Sequence, residues 1–150
     1  MLNQFVFFGL FAASSLYALA RGGAPERLMA TVMIIGVALT PLVATPMSRR
    51  FYGLETGVFT LDCLILIIFS VIALRANRFW PMGIVVLHGM SVLGHILRIA
   101  DPHLIRIAYM LMLTFWIYPQ LLLLVLGTLR HQRRLRATGA DPSWSTFSHR

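Results

Sequence analysis

The chain has 150 residues, 58% of them hydrophobic and only 12% charged, where soluble globular domains carry about 25% charged residues. This excludes an ordinary soluble domain and points to a membrane protein with no room for a second sizeable domain. The net charge of +8 comes from 13 arginines without a single lysine. The arginines fall between apolar runs and in the C-terminal segment, so membrane topology explains them better than nucleic-acid binding.

Span one is expected over residues 4–20. Its ~17 residues cover about 25 Å, enough to cross the apolar core. Ala18-Leu19-Ala20 has the look of a signal-peptidase site, but residues 1–4 carry no basic side chain, so a retained helix is expected. Gly9 with Ala13, and Ser14 with Ala18, form small-xxx-small pairs that let another helix approach closely. Gly22-Gly23 then turns the chain. Pro25 suits a first helical turn, and Glu26 sits where the helix dipole favours negative charge.

Span two is expected over residues 27–44, bent at Thr40-Pro41. A loop from Pro46 to Gly53 carries Arg49 and Arg50. Span three, residues 54–74, holds Glu55 and Asp62, which are seven apart and share a face. Its single cysteine, Cys63, reads as a small buried hydrophobe. No disulfide within the chain and no cysteine-based metal site can form. Asn77 is the expected cap of span four, residues 81–100, with Trp80 at the interface and Pro81 in the first turn. Asp101-Pro102 is expected to end span four and to cap and start span five, residues 104–127, with a kink at Pro119.

These spans define an all-α, five-helix transmembrane domain over residues 1–128, followed by a basic tail over 129–150. Arg130, Arg133, Arg134 and Arg136 in that tail are candidate contacts for anionic lipid headgroups. Trp144 and Phe147 could touch the interface or a partner. The arginine-rich side holds the 21–26 loop, the 75–79 loop and the tail. The positive-inside rule therefore places the C-terminus in the cytoplasm and the N-terminus outside, in a bacterial inner membrane.

Span four is apolar enough to cross a membrane, yet His88, Ser91, His95 and Arg98 fall at i, i+3, i+7 and i+10, one stripe of a helix. Intramembrane polar groups are costly and face a protein interior or a cavity. Spans three and four share a short connection and should pack antiparallel. Their levels set Glu55 against Arg98, and Asp62 against His88 or His95.

This seam has three readings. It can lock two helices in register, carry protons or ions, or hold a cofactor. No cofactor is predicted. Haem or a pigment stays an alternative, though His88 and His95 are ~10 Å apart along the helix, and none of the other expected spans supplies a histidine. No catalytic motif is present: no nucleophile elbow, no H-E-x-x-H, no phosphate loop. If the chain were a lipid-modifying enzyme, Glu55, Asp62, His88 and His95 would be the acid–base candidates.

Gly22-Gly23-Ala24-Pro25-Glu26-Arg27 after span one, the acidic third span and Trp80-Pro81 before a His-bearing fourth span resemble small polytopic membrane proteins of alphaproteobacteria. The resemblance implies a multi-pass fold and brings no activity with it. The leading expectation is a non-catalytic accessory or assembly subunit of a membrane complex, with the lipid bilayer and other subunits or further copies as partners. A proton, ion or small-molecule transporter is the alternative, and a redox or pigment-associated protein the next.

Overall fold

The computed structural model describes residues 2–145. Six helices follow one another: α1 (Leu2–Arg21), α2 (Ala24–Val43), α3 (Thr56–Arg75), α4 (Trp80–Ala100), α5 (Arg106–Thr114) and α6 (Ile117–Thr138). The last two form one bent segment, Arg106–Thr138, so five stretches are long and apolar enough to cross a membrane. The protein is thus a multi-pass helical membrane protein. Among the described residues there is no strand, only an isolated bridge between Ala76 and Trp144.

The burial pattern is that of a bundle in lipid. Met29, Phe69, Ile84 and Leu124 are sealed inside. Phe8, Leu16, Ile67, Val86 and Leu122, on the outer faces of four helices, are each more than half exposed. A soluble protein would not leave so many large apolar side chains bare, but acyl chains cover them at no cost.

Local sequence sets the helix ends. Pro25 lies in the first turn of α2 and Glu26 beside it, as the missing proline N–H and the helix dipole favour. Gly57 lets α3 cross α2 closely, because a Cβ there would strike the Val43 carbonyl. Gly127 does the same for α6 against α4: an added Cβ would lie 2.6 Å from the Trp80 indole. So Gly127 is a packing residue inside α6 rather than its end, and the basic run 128–136 continues the helix to Thr138.

Three expectations change. Asn77 does not cap α4. The N-cap is Phe79, without a side-chain bond, and the Asn77 N–H is drawn instead to the Ser143 carbonyl. Asp101 closes α4, as expected, but does not open the next helix. Its carboxylate takes the His103 N–H, and α5 starts only at Arg106. The fifth segment breaks at Phe115–Trp116, one turn before Pro119. Proline has no N–H for the carbonyl four residues back, so Phe115 accepts from Tyr118 and Trp116 from Gln120, both at 3.3 Å. Of the small-residue pairs on α1, whose neighbour the sequence leaves open, Gly9 and Ala13 face outward. The face turned inward runs through Phe11, Ser15 and Ala18.

Candidate functional site

Asp62, in the second turn of α3, is where the polar side chains of α4 converge. His88 donates from Nε2 to the Asp62 carbonyl at 3.1 Å. His95 sets Nε2 3.4 Å from the Asp62 carboxylate, an electrostatic contact longer than a well-formed hydrogen bond. The helical repeat puts these two histidines, Ser91 and Arg98 on the same face, and all four are buried.

His95 is held from its other side. The Tyr109 hydroxyl lies 2.8 Å from His95 Nδ1 and accepts the Glu55 backbone N–H at 3.2 Å. With the hydroxyl donating to Nδ1, the ring proton stays on Nε2, which lies near Asp62 without completing a hydrogen bond. The Tyr109–His95 pair has 0% exposure at both residues, so it has little freedom to rearrange. The inward-facing hydroxyl of α5 gave no signal in the sequence, since a tyrosine in an apolar run also reads as an interface anchor.

Glu55 and Arg98 do not pair. Glu55 precedes α3 and its carboxylate takes the Phe51 N–H at 2.8 Å and the Thr45 N–H at 3.0 Å. Burial works to raise its pKa, but these two N–H groups and the Arg50 charge outweigh it and hold the carboxyl below the usual glutamate value. Arg98 turns to the carbonyls of Tyr52 and Leu104, with its guanidinium over the Tyr109 ring at 5.5 Å. The loop before α3 is interposed between the two charges. It folds there because Phe51 takes the left-handed conformation at φ 65, which costs a non-glycine residue about 1 kcal/mol or more.

Asp62, His88 and Ser91 form one wall of a cavity of about 560 Å³. Gln120 of α6 closes another part of the wall. Its side chain is buried and its Oε1 has no hydrogen-bond partner. The rest is mostly apolar, with Met33, Val37, Ile65, Phe69 and Leu113 among the lining residues. From Val58 to Phe69 the cavity follows α3 for about 16 Å at 1.5 Å per residue. Its end nearest the 44–55 loop is formed by Arg50 and Phe51. The bend at Phe115–Trp116 lies beside it, so α5 and α6 both contribute lining residues.

A second polar cluster closes the opposite end of the bundle, and sequence reading missed it. Arg78 is buried between the Glu26 carboxylate, Asp141 Oδ2 at 2.8 Å and His131 Nδ1 at 3.2 Å. His131 Nδ1 also meets Asp141 at 2.7 Å. Ser143 accepts the Ala24 N–H, and the Ser145 N–H reaches the Arg75 carbonyl. The segment after α6 is therefore folded back across the 22–24 and 76–79 turns. Arg130, Arg133, Arg134 and Arg136 are exposed along α6, with Arg134 3.4 Å from Asp141. Trp144 takes part in the bridge to Ala76; Phe147 lies outside the described residues.

Among the described residues no three His, Cys, Asp or Glu side chains gather in a way that could hold a metal ion. His131 does add a histidine on the fifth apolar segment, but at the far end from His95. No family model matches the chain, and no curated protein or solved structure is significantly similar to it.

Proposed function

We propose that this protein binds a small amphipathic molecule within the membrane and moves it between the lipid phase and the cavity, as a small transporter. The observation that carries this reading is the cavity itself. Its volume falls within the roughly 300–1,000 Å³ of small-molecule sites, which are mostly apolar with a few placed polar groups. Asp62, His88, Ser91 and the unpartnered Gln120 amide are such groups. The Asp62 carboxylate supports the reading, because it meets His95 only at 3.4 Å and keeps its accepting capacity for a ligand.

The same reading places the C-terminus in the cytoplasm and the N-terminus outside, in a bacterial cytoplasmic membrane. Arg21 and Arg27 beside the 22–23 turn, Arg75 and Arg78 at the 76–79 turn, and the four arginines at the end of α6 outnumber those at the other end of the bundle, in keeping with the positive-inside rule. The cavity end at Arg50 then faces outward, and the Arg78 cluster lies on the cytoplasmic side.

Photolabelling with a diazirine-bearing dodecanol in liposomes tests the reading. Label is expected on cavity residues such as Val37 and Leu113, and its loss from both when Val37→Trp fills the space. Label confined to lipid-facing residues such as Leu16 and Val86, unchanged by Val37→Trp, would rule it out.

A second reading, an accessory subunit of a larger complex, is favoured by α1. A Cβ added at Gly9 would meet nothing within 4 Å, and Ala13 is exposed too, so this small-residue pair is unused inside the chain. Such pairs permit close contact with another membrane helix. A partner that co-purifies in mild detergent and is lost with Gly9→Leu would support it; a lone species in both would not.

A further inference from the structure

We propose that the cavity takes a single-chain amphiphile with an anionic headgroup, held at Arg50 and Arg106, with the chain running toward Asp62; this rests on the cavity being a ligand site. Among the described residues neither arginine has a carboxylate within ion-pairing distance. Arg50 Nε is buried without a hydrogen-bond partner, and its guanidinium makes only a 3.7 Å contact with Met47 Sδ and a 5.1 Å approach to the Phe51 ring. A buried donor left unmet is costly, so a ligand oxygen there is favoured.

Geometry makes Arg50 a threshold. It lines the main cavity together with Phe51 and Met110, and the same three residues line a second, smaller cavity of about 310 Å³ whose wall also holds Arg106. Arg106 donates from Nε to the Arg50 carbonyl at 3.1 Å and lies over the Tyr52 ring at 4.2 Å. The two cations therefore flank one small chamber, with the long apolar cavity behind it. The nearby Glu55 carboxylate does not compete for the head position. It is buried, faces the Phe51 and Thr45 N–H groups, and does not line either cavity.

Arginine pairs with carboxylate and phosphate through parallel hydrogen bonds, so both head types fit. The Asp62 carboxylate lies further along α3, about 10 Å from the level of Glu55, where it would repel an anion and accept a hydrogen bond. It thus orients the molecule, headgroup at Arg50 and any hydroxyl at Asp62. A single apolar cavity of about 560 Å³ leads off the chamber, which suits one chain rather than the paired chains of a phospholipid.

The test measures binding of radiolabelled dodecanoate and dodecanol to the full chain in nanodiscs, with empty discs as the background. Dodecanoate is expected to bind Arg50→Gln roughly tenfold or more weakly, with dodecanol unchanged and with affinity recovered in Arg50→Lys. Arg106→Gln, at an exposed position, removes the second charge and should weaken dodecanoate alone. Unchanged dodecanoate affinity in both arginine variants overturns the headgroup assignment while leaving the cavity reading intact. Displacement of dodecanoate by an equal concentration of phosphatidylglycerol overturns the single-chain assignment. Failure of the wild type to bind either compound, with Val37→Trp indistinguishable from it, overturns both readings.

Discussion

Replacing Arg78 by methionine should be among the most damaging single changes outside the apolar core. Arg78 and Glu26 have side-chain exposures of 1% and 0%, and Asp141, at 4%, is the second carboxylate on the same guanidinium. Methionine keeps much of the side-chain volume but leaves Glu26 as a buried charge with no counter-ion. Breaking a buried pair in this way costs roughly 3–5 kcal/mol. His131 and Arg134 still face Asp141, so the loss should fall mainly on Glu26. For a chain of this size that corresponds to a fall in melting temperature of roughly 6–20 °C. Adding Glu26→Gln to Arg78→Met removes the stranded charge, and most of the loss should be regained, since an ion pair replaced as a whole is often near neutral. Tryptophan-fluorescence melts in detergent on the wild type, both single variants and the double variant give the coupling directly. A loss under about 1 kcal/mol for Arg78→Met, or a double variant no better than the single one, would show that the cluster is solvated and the reasoning wrong.

Three other outcomes are expected. Tyr109→Phe leaves both the Glu55 N–H and His95 Nδ1 without their shared partner, and should destabilise by about 1–3 kcal/mol in the same melts. Gly127→Val drives a side chain into the Trp80 indole and should cost about 1–3 kcal/mol, with a changed Trp emission. Glu55 is held below its ordinary value of 4.5, so the unfolded chain binds its proton first as pH falls. Its contribution is therefore complete above that ordinary value and is lost as pH drops through the lower folded one. The acid-side fall in melting temperature should be flatter in Glu55→Gln, and identical pH profiles would contradict the assignment.

The spans were legible because hydropathy over some twenty residues leaves few alternatives, and the inward face of α4 because His88, Ser91, His95 and Arg98 keep the helical period. What that face meets was less legible. Setting levels by counting residues from the α3–α4 turn brings Asp62 beside His95, since both lie on regular helix. It fails for Glu55 and Arg98, which lie where the 44–55 loop folds over the bundle. That loop is shaped by Phe51 in a left-handed conformation, and nothing in an Arg-Arg-Phe-Tyr sequence announces it. Asp101-Pro102 carried a strong start signal, yet three further residues pass before α5 begins. The cluster at Arg78 joins residues 26, 78, 131 and 141, separated by loops and by a helix longer than its apolar part. Periodicity along one helix cannot show such a meeting. The cavity was out of reach for a related reason. It is the space left when α5 and α6 bend around Pro119, and its polar wall is drawn from three helices.

The most direct measurement for the central claim is native mass spectrometry of the protein released from lipid nanodiscs, wild type beside Val37→Trp. A cavity that binds a small amphipathic molecule predicts a retained adduct of small-molecule mass on the wild type, absent from the variant while both remain folded by melting. Spectra without any adduct on the wild type, even after incubation with dodecanoate and dodecanol, or an adduct equally retained by Val37→Trp, would contradict it.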